Sequence, residues 1–159
     1  MAHKILDSFR ERFDFVYGQV EKAIDLTPDS LWRKKVGGFY YWQQIVHLFG
    51  IIDSFCQEAG AAPSQTSYDA DIIRLMKDGE KVPTKADALA FARQMTGTAH
   101  AYFDRLTDAD LFASNSGRTQ RMGREVSHLE AMITLISHGM YHVGVCSMEL
   151  RELGIKELP

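Results

Sequence analysis

The segment His138-Gly139-Met140-Tyr141-His142 sets two imidazoles four residues apart inside a long apolar stretch. On a helix, side chains at that spacing leave one face about 40° and 6 Å apart. One helix can thereby offer two nitrogens to one metal ion. Six histidines in 159 residues would give about 0.2 such pairs by chance, so the spacing carries information. Two ordinary helix histidines beside a polar groove would read the same way, and on spacing alone that alternative stays open.

A metal needs more than two ligands. The best third candidate is His47, which shares a helical face with Tyr40, Gln43, Gln44, Ile51 and Ser54. Glutamines beside a histidine suit a pocket wall better than a dry core, although a lone helical histidine is often just a satisfied interior group. No fourth ligand is convincing. Cys146 lies about 12 Å along the axis from His138, and Glu149 about 10 Å from His142. Cys56 is on the far side of its helix from His47. Three imidazoles, His47, His138 and His142, would leave an ion with open positions for water or substrate. His128 stands about 15 Å from His138 and reads as a structural residue with a hydrogen bond at a helix start. His100 and His3 receive no role.

An ion held this way lowers the pKa of a bound water, polarises a substrate oxygen or binds a thiolate. Imidazoles do not choose the metal, since zinc, nickel, copper and iron all accept them; the expectation is a divalent ion, zinc, nickel, iron or manganese. No obvious general base accompanies the histidines. Asp53 and Glu58 turn away from His47, and Tyr141 points aside. Tyr40 and Gln44 share the face of His47 and are the candidate catalytic groups, with Gln44 placed to orient a nucleophilic water.

Four helices can position these residues. The first spans about 3–25, with an apolar stripe through Ile5, Phe9, Phe13, Val16, Val20 and Ile24 at three- and four-residue steps; Pro28 marks its end. The second spans about 39–59, is dense in aromatics, and closes at Gly60. A polar connection over 60–83 follows, with one short helix around Asp71 to Met76. The third starts at Thr84, with Asp87 as capping-box partner. The fourth spans about 124–153, with Gly154 as its C-terminal cap. No segment shows sustained strand alternation. The fold class is all-α, a four-helix bundle with a long crossover between helices two and three. Leu26 to Trp32 echoes Leu106 to Phe112, and Gln44 to Leu48 echoes Glu125 to Leu129, as two related hairpins would, although common helix-end chemistry gives such short matches equally well. The 107–124 connection reads as a loop, and its Arg118, Arg121 and Arg124 could meet an anionic substrate if it folded over the metal.

The fourth helix has little polar surface. One apolar face runs through Leu129, Met132, Ile133, Ile136, Met140 and Val143; Ala131, Leu135, His138, His142 and Val145 lie nearly opposite. One face suits the core, and the other a second subunit, so a homodimer is expected.

Composition bounds the remainder. A chain of 159 residues, 45% hydrophobic and 25% charged, with net charge -3, suits one globular domain over 1–159. There is no dense basic cluster with aromatics, so nucleic acid is not an expected partner. No apolar run spans a membrane, and Met1-Ala2-His3-Lys4 lacks a signal-peptide core. Cys56 and Cys146 read as reduced core thiols, and a cytoplasmic location is expected.

A histidine in an aromatic-rich second helix, then His138-Gly139-Met140-Tyr141-His142-Val143-Gly144 followed by Leu150-Arg151-Glu152-Leu153-Gly154, resembles the DinB/YfiT-like superfamily of DNA-damage-inducible bundles. The resemblance covers nearly the whole chain. It implies a four-helix bundle, often dimeric, with a divalent metal on His47, His138 and His142. It further implies a metal-dependent enzyme, either a thiol-dependent S-transferase or isomerase using a low-molecular-weight thiol or a hydrolase. One departure is Val145 after Gly144, where the family often carries Gln. The alternatives are a non-catalytic metal- or ligand-binding stress-response module and a structural dimer with a vestigial site.

Overall fold

Helical sequence dominates the computed structural model, which describes residues 4–159: 65% of the chain is helix and 4% strand, so the class is all-α. His3 lies outside the described residues. Helix α1 (Lys4–Leu26) buries Phe13, Val16, Tyr17, Val20 and Ile24, the stripe its periodicity announces. Its last turn is tied off where the Thr27 hydroxyl donates to Ala23 O at 2.6 Å. Pro28, which has no N–H to extend α1, then serves as N-cap of a one-turn helix, α2 (Asp29–Trp32).

The region expected as one helix over 39–59 is divided. It opens as a two-residue hairpin, β1 (Lys35–Val36) against β2 (Phe39–Tyr40). Gly37 and Gly38 turn it at φ +60° and +95°, the left-handed pair that a tight hairpin requires and glycine supplies without strain. Helix α3 (Tyr41–Gly50) follows, then α4 (Asp53–Cys56). Ile51 and Ile52 keep right-handed helical dihedrals, so α3 and α4 continue in one direction.

The polar connection contains α5 (Ala70–Ile73), capped by the Asp69 carboxylate. Helix α6 (Lys85–Phe103) starts at Thr84 with the expected reciprocal capping box to Asp87. The 107–124 connection is more ordered than a loop. Thr107 and Asp110 form a second capping box over a 3-10 turn, Asp108–Phe112, and α7 (Ser116–Met122) follows, capped by Asn115. The short turns after α1 and α6 fall on the two echoed sequences. Helix α8 (His128–Glu152) begins four residues later than expected because Ser127 caps it. It ends in a Schellman pair, Gly154 N–H to Arg151 O and Ile155 N–H to Leu150 O, with Gly154 at φ +82°.

Helix directions follow from the cross-links. Arg10 pairs with Asp104 and Asp14 with His100, so α1 and α6 are antiparallel. Trp32 Nε1 donates to Pro83 O at one end and Arg105 to Cys56 O at the other. The α3–α4 arm and α6 are therefore parallel, and residues 57–84 make the crossover. Helix α8 runs beside α1, with which it has its closest packing, and also meets α3. Gly139 lets α1 and α8 approach: a Cβ there would sit 2.6 Å from Val16 Cγ1. The buried apolar side chains form one cluster, including both free cysteines. Its α8 side is Ala131, Met132, Leu135, Val143, Cys146 and Leu150. Ile133 and Met140, expected beside Met132 and Val143 on one face, are exposed. No helix among the described residues is long and apolar enough to cross a membrane.

Candidate metal site

Two antiparallel segments bring the site together. His47 comes from the middle of α3, and His138 and His142 come from successive turns of α8. One nitrogen from each ring lies within 4.8 Å of the others. His138 Nε2 stands 3.0 Å from His47 Nε2 and 3.1 Å from His142 Nε2. Nitrogens bound to one zinc at about 2.0–2.1 Å would be about 2.9–3.4 Å apart, between facial octahedral and tetrahedral limits. Those two spacings fit a divalent ion.

Proton placement points the same way. His47 Nδ1 lies 2.6 Å from Ile73 O. A carbonyl only accepts, so Nδ1 carries the proton and the neutral ring turns a lone pair at Nε2 toward the other histidines. His138 Nε2 faces that lone pair and His142 Nε2 together. If His138 carries a proton there, it is shared between two acceptors. If it does not, two lone pairs oppose each other. Three converging nitrogens accommodate one proton poorly and one cation well.

Burial keeps the rings neutral. Desolvation, then the neighbouring His47, lowers the His138 pKa to about 4. Desolvation, then His138 and His47, lowers that of His142 to about 3. Desolvation also lowers that of His47, against the opposing Ile73 hydrogen bond. His142 is 3% exposed, while His47 and His138 keep part of their surface open. An ion on this face would be held from below and reachable from above.

The Ile73 carbonyl reaches His47 because α5 presses against α3. A Cβ on Gly50 would lie 2.8 Å from Ile73 side-chain carbons, so Gly50 permits the approach. Gln43 secures the same segment, donating to Ile72 O and to Lys77 O at 2.6 Å. Neither the carbonyl nor its glycine seat has a signature in residue spacing. Gln43, buried beside a histidine, is the one polar residue that could have flagged them.

The other candidates have partners of their own. Gln44 Nε2 donates to Val36 O at 3.1 Å, holding the hairpin to α3. Tyr40 stacks on Trp42 with Lys35 above its ring. Tyr141 is exposed, with its ring edge against His142. Asp53 is engaged by Ser64 and Gln57, and Glu58 by Ser116. His128 accepts or donates at Tyr102 Oη, 2.6 Å away, at the start of α8. His100 pairs with Asp14. No family model, curated protein or solved structure matches the chain.

Proposed function

We propose that this protein is a divalent-metal-binding member of the DinB/YfiT-like superfamily and that its four long helical segments constitute that family's bundle. Its activity is that of a metal-dependent enzyme: a thiol-dependent S-transferase or isomerase, or a hydrolase. The observation that carries the reading is that one ring nitrogen each of His47, His138 and His142 lies within 4.8 Å of the others. A bound divalent ion supplies Lewis acidity toward a substrate oxygen or sulfur. The chain's own contribution is orientation. Ile73 O fixes the His47 tautomer, α8 holds His138 and His142 one turn apart, and Gly139 seats that turn against α1. The active unit is a homodimer, with the exposed Ile133, Met140 and Ile5 among the side chains a second copy covers.

The test is metal content of untagged protein purified without chelator. One zinc, nickel, iron or manganese ion per chain is expected, with uptake lost in His47→Ala, His138→Ala and His142→Ala. Absence of any ion, with reloading unchanged in all three variants, would overturn the reading. A panel of low-molecular-weight thiols, esters and amides then tests catalysis. Turnover of none of them would reassign the protein as a metal-binding module.

A further inference from the structure

One arginine near this site lacks the partner its geometry is built for. Arg118, on α7, lies with its guanidinium 4.0 Å from the Phe55 ring centroid. Its Nη1 reaches Ser54 Oγ at 3.4 Å. Its Nη2 faces only the Met122 thioether, at 3.6 Å. Its Nε is buried and has no hydrogen-bond partner among the described residues. Nε and Nη2 form the side-on edge of the guanidinium, the fork that grips two oxygens of a carboxylate or phosphate. Here a weak sulfur acceptor occupies one tine and nothing occupies the other.

The nearby carboxylate is used elsewhere. Glu130 acts on the charge of Arg118 from a distance, but its two oxygens are held by Arg124. Desolvation and the positive charges of Arg121 and Arg124 make the guanidinium proton easier to lose than usual. An uncompensated cation in partly desolvated surroundings costs stability that an oxyanion would recover. Met122 is half exposed and unbranched, and so can swing off the fork.

We infer that the Nε–Nη2 edge of Arg118 is an oxyanion site, covered by the Met122 side chain, that takes the carboxylate or phosphate of a substrate. Its Ser54 partner lies on the His47 face of the α3–α4 arm. Ser54 follows His47 by seven residues along a continuous helical path, and Glu130 precedes His138 by two turns of α8. The Ser54 contact places the Arg118 guanidinium about 10 Å along the arm from His47. Resting on the metal-site reading for its second half, the inference makes the substrate an elongated acid, gripped at one end by Arg118 and reacting at the other.

Inorganic phosphate, titrated calorimetrically into the metal-free full chain at low chloride, tests anion binding apart from any metal. Saturable binding is expected, at least tenfold weaker in Arg118→Gln and in Arg118→Lys, which keeps the charge and loses the fork. Met122→Glu would place an internal carboxylate on the fork; it should abolish phosphate binding without lowering the thermal midpoint, so a poorly folded Arg118 variant does not decide the matter. No saturable binding, wild-type affinity in Arg118→Lys, or undiminished binding in Met122→Glu would overturn the site. Metal uptake is a separate measurement, so failure of the histidine reading would leave this result standing.

Discussion

Three imidazoles that stay neutral in acid behave differently from three in water. A solvated imidazole has a pKa near 6.5 and is half protonated there, so three of them would release about 1.5 protons on binding a metal at that pH. With His138 at about 4, His142 at about 3 and His47 also lowered, few protons remain to displace. Zinc binding at pH 6.5, followed by calorimetry in buffers of different ionisation enthalpy, should release fewer than about 0.5 protons. Release of more than one would show the rings to be solvated. The same groups set acid sensitivity without metal. Between their folded values and 6.5 the unfolded chain binds more protons than the folded one. Their contribution to stability is therefore complete above 6.5 and lost as pH falls toward 4 and then 3. Thermal midpoints of the metal-free protein should fall over that window, and less steeply in a His138→Gln, His142→Gln double variant.

Glycine contacts at the scale of elements decide whether the histidines meet. Gly139→Ala forces a methyl into Val16 Cγ1, and Gly50→Ala into Ile73. Each should cost about 1–3 kcal/mol in denaturant unfolding. Gly50→Ala moves the acceptor of His47 and Gly139→Ala the turn that carries His138 and His142, so each should also weaken metal affinity by about tenfold or more; unchanged affinity in both would contradict that role. The long helices were readable because their signals are local: the α1 stripe, the Thr84–Asp87 box, and Gly154 after α8. The hairpin was not, because two-residue strands show no alternation, although Gly37-Gly38 is a tight-turn signal. Helix α7 was hidden by the polar, glycine-containing run that reads as loop. The faces of α8 were ambiguous because apolar residues surround it, and only packing against α1 and α3 selects which are buried. Histidine spacing pointed to the His138–His142 half of the three-histidine cluster, and the polar face around His47 to the other half. The Arg118 fork depends on the rotamer of one side chain, which no sequence pattern encodes.

Helix α8 leaves Ile133 and Met140 exposed, and Ile133 lines, with Ile5, Phe9 and Ile136, a cavity of about 430 Å³ between α8 and α1. If a second copy covers this face, light scattering at micromolar concentration should give twice the chain mass. Ile133→Glu should give the single mass with unchanged helical circular dichroism, because position 133 is 50% exposed within one chain. A wild-type monomer would leave the patch without the proposed partner.

The bond from His47 to Ile73 O has a consequence for how such a protein can diverge. The acceptor is main chain, so no substitution at position 73 can delete it. Drift there changes only the shape that presses on Gly50, whereas a side-chain acceptor could be erased by one codon change. Lineages would therefore be free to vary the identity of residue 73 and constrained in the length of the crossover that delivers it. Insertions and deletions between α4 and α6, more than point changes, are where metal affinity would be lost or retuned.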